Sequence, residues 1–120
     1  MSDQAPLLDH GVIDELRESV AGDSAFVTEL IETYLAEAPG QIDEIVAAAG
    51  SGDCDAIIRP AHTLKSSSAS LGAARMAQIA REIEFAGREG RAEALADRAE
   101  AARSTYEATV EAITAAGLRG

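Results

Sequence analysis

The chain has 120 residues, enough for one hydrophobic core but not for two. Hydrophobic residues make up 47% and aromatic ones only 3%, and the many alanines favour an all-helical domain. A net charge of −11 argues against nucleic acid as a partner, because its phosphates would be repelled.

No apolar run reaches bilayer-spanning length, and Met1 to Pro6 lacks the basic start and apolar stretch of a leader, so no membrane is expected. The lone Cys54 excludes an internal disulfide and fits a cytoplasmic protein. Met1 and the stop signals near Gly117 fit a free-standing protein.

Apolar spacing predicts a first helix over about 9–20, with Val12, Ile13, Leu16 and Val20 on one face and Gly22 as its stop. A second opens at the N-cap Asp23 and runs through Phe26, Val27, Leu30, Ile31, Tyr34 and Leu35. Its pattern resumes after Pro39 and Gly40 with Ile42, Ile45, Val46 and Ala49. Proline removes a backbone donor, so a kink or short break is expected there. Gly50, Ser51 and Gly52 end the element.

The third helix starts at Asp53 and carries Ile57, Ala61, Leu64, Ser68 and Leu71 inward. Pro60 predicts irregular first turns, and Gly72 suits a left-handed stop. The fourth runs from Ala73 to about Ala86 with Met76, Ile79, Ala80 and Ile83, closing around Gly87 and Gly90. The fifth carries Leu95, Ala99, Ala102, Tyr106, Val110 and Ile113 and ends near Gly117. Short connections between long amphipathic helices predict an all-α fold. It is an up-down antiparallel four-helix bundle over about 23–116, with an additional short N-terminal helix as a lid. The whole chain, 1–120, is expected to be a single monomeric domain.

The stretch from Ala61 to Gly72 carries the chemistry. Helical spacings of three, four and seven put His62, Lys65, Ser66 and Ala69 on one stripe, while Leu64, Ser68 and Leu71 line an adjacent inward stripe. His62 therefore projects towards solvent at the margin of the core. Lys65, one turn along, can set its ammonium against a phosphoryl group on the imidazole. Phosphoryl transfer depends mostly on positioning and charge neutralisation, so this pair is a plausible minimum. Ser66 and Ala69 leave room for a partner to close over the site.

His62 lies ten residues before Gly72 and Glu84 twelve after it, so the two sit at similar heights on neighbouring helices. A carboxylate there could accept from Nδ1–H and leave Nε2 free to attack. The segment from Asp53 to Glu89 holds five acids and five bases, so the net negative charge lies elsewhere and an anionic partner can approach here.

The other chemistry-bearing residues read as structural. His10 sits in a capping region, and Cys54 with His62 lacks the further ligands of a metal site. Ser67 and Ser68 have no base or oxyanion donors, and Ser68 is expected inward with its hydroxyl bonded back to its helix. Tyr34 and Tyr106 are expected as core anchors with exposed hydroxyls, and Phe85 beneath the first helix. A lone helical histidine is usually an ordinary surface residue; it is the surrounding run that marks His62.

That run resembles the histidine-containing phosphotransfer domains of bacterial and fungal phosphorelays. It matches their pattern at Ala61, His62, Leu64, Lys65, Ser66, Ser67, Leu71 and Gly72, and again at Ile83-Glu84 and at Gly87 to Gly90. The resemblance covers about 23–116 and implies a four-helix bundle with a phosphorylated histidine, His62, mid-helix. Many members have glycine where this chain has Ser66, and Pro60 is a second departure.

The resemblance also implies a phosphocarrier without kinase activity of its own and with no intrinsic cofactor. The partners would be response-regulator receiver domains that bring the aspartate and Mg²⁺, with a hybrid histidine kinase as a further candidate. The expected docking face joins the His62 stripe to Leu7, Leu8 and Ile13 of the N-terminal region. Two rivals are a non-catalytic module that binds and inhibits a receiver, and a dimerising kinase bundle, whose ATP-binding domain has no counterpart in this sequence.

Overall fold

A computed structural model describes residues 4–19 and 24–118. Five α-helices follow in order: α1 (His10–Ser19), α2 (Ser24–Ser51), α3 (Cys54–Leu71), α4 (Ala74–Arg88) and α5 (Leu95–Ala115). One 3-10 turn, Ala92–Ala94, leads into α5. Helices α2 to α5 pack in a ring, each on the next and α5 back on α2, while α1 lies against α2 and α3. The expected cap Asp23, and Val20 and Gly22 at the end of the first helix, lie outside the described residues. The core runs along the bundle through Ile45, Ile57, Leu64, Met76, Ile83 and Leu95, all fully buried.

The break expected at Pro39 and Gly40 does not occur: α2 continues through both to Ser51. Pro39 has no N–H for the carbonyl of Leu35, and the hydroxyl of Tyr106 in α5 donates to that oxygen instead, at 3.3 Å. A side chain from another helix thus replaces the missing backbone donor. Helix α3 is likewise unbroken through Pro60, which is buried. The carbonyl freed there belongs to Ala56, an exposed residue that water can reach. The helix is anchored at its start by Asp53, whose carboxylate accepts from Ala56 N at 3.0 Å.

Gly72 ends α3 in the left-handed region, at φ 80°. It also accepts α1 at close range. Asp9 N donates to Gly72 O at 2.6 Å, and a side chain at Gly72 would come within 3.0 Å of Asp9 O and 3.2 Å of Val12 Cβ. Docking the N-terminal region on this turn buries Leu8 and Ile13 in the core. They are therefore not available for the docking face expected from the sequence.

Helix α4 ends at Arg88, between Gly87 and Gly90 as expected, and Gly87 has a further role in its last turn. Gly87 is buried, and a Cβ there would lie 2.7 Å from Ile57 Cγ2 and 3.0 Å from Cys54 O, so α4 packs close on the first turns of α3 at this point. The chain reverses only at Gly90, at φ 69°.

Both tyrosine hydroxyls are hydrogen-bonded to neighbouring helices, and Tyr34, expected with its hydroxyl exposed, is buried. Tyr34 is buried with its hydroxyl 2.8 Å from Ser68 Oγ, so Ser68 points inward but bonds across to α2 rather than back to its own helix. Burial pushes the Tyr34 phenol up to about 12, against the pull of the Ser68 hydrogen bond. Phe85 is not packed beneath α1: it is 56% exposed.

Candidate functional site

His62 stands near the middle of α3, with Leu64 and Ser68 fully buried behind it and its own side chain 56% exposed. Its ring is held on one side only. Nδ1 lies 3.0 Å from Oε2 of Glu84, and Nε2 has no hydrogen-bond partner among the described residues. An ionised carboxylate only accepts, so this contact puts the proton on Nδ1 and leaves a lone pair on Nε2.

Glu84 is the hub. Its side chain is only 8% exposed, on the α3 side of α4, yet it meets three groups that carry or can carry positive charge. Lys65 Nζ lies 2.8 Å from Oε1. Arg88 Nε and Nη2 donate to Oε2 at 3.0 and 2.8 Å, on the oxygen that also takes His62. Burial pushes the carboxyl up, but the hydrogen bonds from Lys65, Arg88 and His62 outweigh it and hold the group at about 2. Glu84 is thus ionised throughout the neutral range.

The same clamp fixes the cations. Lys65 and Arg88 are neutralised in part by the carboxylate that also meets the imidazole, and their side chains are 33% and 59% exposed. Ser66 and Ala69 are exposed on the His62 stripe. Ser67 Oγ is bonded to Leu64 O at 3.3 Å, and Ser70 Oγ to Ser66 O at 3.0 Å, so both hydroxyls are occupied within the helix. Gly72 caps α3 at the hairpin turn, ten residues beyond His62, rather than beside the imidazole.

Arg88 is read from the sequence only as one base of a balanced segment and as part of the Gly87 to Gly90 match, without a role at the site. The signal was present in the spacing, because Glu84 and Arg88 form an i,i+4 pair on one helix face.

Cys54 is a free, partly exposed thiol. Among the described residues no group of three or more His, Cys, Asp or Glu side chains is placed to hold a metal ion. Among them, too, no helix is long and apolar enough to cross a membrane.

A buried helix face, an exposed imidazole and a carboxylate reaching it from the next helix define a bundle that presents a histidine to solvent. The family model described as the Hpt domain matches residues 29–116, most of the chain, and the chain belongs to that family. Its class of function is histidine phosphotransfer in a phosphorelay, as a phosphocarrier. Among solved structures it is similar to histidine-containing phosphotransfer protein B (HptB) from Pseudomonas aeruginosa PAO1. The two share 26% sequence identity with a TM-score of 0.78, over 88% of this chain and 90% of that one. No curated protein matches the chain.

Proposed function

We propose that His62 is the phosphoacceptor, taking a phosphoryl group from the aspartyl phosphate of one receiver domain and passing it to the aspartate of another. The observation that carries this reading is the contact of Glu84 Oε2 with Nδ1, which leaves Nε2 as the nucleophilic nitrogen on an exposed ring.

In the forward step the Nε2 lone pair attacks phosphorus. The P–N bond forms as the P–O bond to the receiver aspartate breaks, and the aspartate departs as a carboxylate. The proton on Nδ1 stays on the ring, which becomes positively charged, and Glu84 balances that charge. No proton has to leave, so the reverse step to a second aspartate begins from the same protonation state.

Lys65 is the group closest to hand for the charge on the phosphoryl oxygens, and it needs only to swing from Glu84. Ser66 and Ala69 are small enough to let the receiver approach. In this reading the Mg²⁺ belongs to the receiver, and this chain supplies the imidazole, the ammonium and the orienting carboxylate.

The test is transfer of labelled phosphoryl from a phosphorylated receiver to the wild-type chain and to His62→Gln. Acid-labile, base-stable label in the wild type only is the expected result. Label persisting in the variant would remove His62 from this role, and no label from any receiver would leave a non-catalytic binding module.

A further inference from the structure

Lys65 can serve a phosphoryl group only by leaving Glu84, to which its Nζ is bound at 2.8 Å. Arg88 is held on the same carboxylate, also at 2.8 Å. A cation without such a tie stands on α3 itself. Arg59 is exposed, and its guanidinium has no ion pair or hydrogen bond among the described residues. Even Asp55, the acid one turn before it, does not pair with it. Elsewhere Arg91, Arg98 and Arg103 each face an acid, and Arg75 donates to Ala5 O.

The place of Arg59 relative to His62 follows from helix geometry, since α3 is continuous from Cys54 to Leu71. Arg59 and Lys65 stand three residues before and after His62, so each is about 4.5 Å away along the axis. At about 100° per residue they fall about 60° to opposite sides of the imidazole. Lys65 is on the side of Glu84 and α4, so Arg59 is on the other. Helical side chains lean towards the N-terminus, which tilts the His62 ring over the turn that carries Arg59.

We infer that Arg59 is a second cationic contact for the phosphoryl group on Nε2 of His62, donating to two phosphoryl oxygens from the side opposite Lys65. The inference rests on the phosphocarrier reading and assigns a residue which that reading leaves idle. A guanidinium presents a planar fork of N–H donors that matches phosphate oxygens, and this one gives up no partner to do so. The Lys65–Glu84 pair can then stay closed while the phosphoryl charge is met.

The test needs no receiver. Phosphoramidate, a small donor, loads His62 of the full chain, and phosphorus NMR follows the phosphohistidine signal that is absent in His62→Gln as pH is varied. A cation beside the phosphoryl group favours its dianion over its monoanion, so removing the cation raises the midpoint of the titration. Arg59→Gln should raise it by about half a pH unit, a threefold change in the protonation constant for an exposed contact. Arg59→Lys keeps the charge without the fork and should fall between. Arg103→Gln makes the same change of charge on α5 and should leave the midpoint in place.

An unchanged midpoint in Arg59→Gln overturns the inference and leaves the phosphocarrier reading intact; if transfer from a phosphorylated receiver is slowed nonetheless, Arg59 meets the receiver instead. A midpoint raised equally by Arg103→Gln reduces the effect to net charge and also overturns it. If phosphoramidate and phosphorylated receivers alike leave His62 unlabelled, the phosphocarrier reading falls and this inference with it.

Discussion

Arg88 reaches back one turn of α4 to place Nη2 2.8 Å from Oε2 of Glu84, the oxygen that also takes Nδ1 of His62 at 3.0 Å. Three N–H groups from two side chains therefore share one oxygen, while Lys65 holds the other. The arrangement fixes the carboxylate from both sides, so the imidazole meets an acceptor that is already in place.

Replacing Glu84 separates its two jobs. Glu84→Ala should slow transfer to His62 by about 10- to 100-fold, the loss seen when a metal-bound imidazole, oriented in the same way, loses its carboxylate partner. Glu84→Gln keeps an acceptor for Nδ1–H but removes the charge that balances a phosphorylated, positively charged ring. It should retain more of the rate and shift the equilibrium away from phosphohistidine. Rapid-quench transfer kinetics in both directions read the two effects apart; equal rates in Glu84→Ala and wild type would remove Glu84 from the site.

Arg88→Ala should have a smaller effect. Its guanidinium is 59% exposed, and pairs open to water are worth about 1 kcal/mol or less, or at most about fivefold in rate. A loss as large as that of Glu84→Ala would mean that Arg88 touches the phosphoryl group itself.

The acid limb of stability follows from the same cluster. Glu84 is lowered from 4.5 to about 2, so its contribution is fully present above pH 4.5 and is lost as pH falls through about 2. That contribution is at most about 3 kcal/mol, and solvent screening of the exposed partner ends brings it lower. Urea midpoints measured from pH 6 to 2 should fall more steeply in the wild type than in Glu84→Gln below pH 4.5. Parallel curves would contradict the ionisation assigned to Glu84.

Gly87, in the last turn of α4, is also a stability position. A Cβ there meets Ile57 Cγ2 at 2.7 Å and Ile58 Cγ1 at 3.1 Å, with the backbone oxygen of Cys54 at 3.0 Å. Gly87→Ala should cost about 1–3 kcal/mol by overpacking, despite alanine's better helix propensity. Chemical denaturation checks it; a stabilised variant would show that α3 and α4 can separate slightly at no cost.

The hairpin at the site was largely legible in the sequence, and the reasons are local. Gly72 marks the turn, and the rise per residue then brings Glu84 level with His62 across it. What escaped depended on groups distant in the chain. The continuity of α2 at Pro39 rests on a hydroxyl 71 residues away, on Tyr106. Gly87 carried a turn residue's identity, but its neighbours on α3 make it a contact point. Spacing put Ile13 on the apolar face of α1, but that this face and Leu8 seat on the Gly72 turn depends on a contact about sixty residues away in the chain, Asp9 N to Gly72 O. Phe85 has the composition of a core residue and only its place on the helix leaves it outside.

The Tyr34–Ser68 contact lies on the buried side of the helix that presents His62. Tyr34→Phe leaves the Ser68 hydroxyl buried without this partner and should cost about 1–3 kcal/mol; Ser68→Ala should do the same from the other side. The double variant should cost less than the two single losses added together. Additive losses by urea denaturation would mean that the two hydroxyls do not depend on each other.

The central claim is that Nε2 of His62 takes the phosphoryl group while Glu84 holds Nδ1. Phosphorus NMR of the chain after reaction with a phosphorylated receiver measures this directly, because the two phosphohistidine isomers resonate separately. The account predicts one signal from the Nε2 isomer, absent in His62→Gln. A signal from the Nδ1 isomer, or any phosphohistidine signal surviving in the variant, would contradict it.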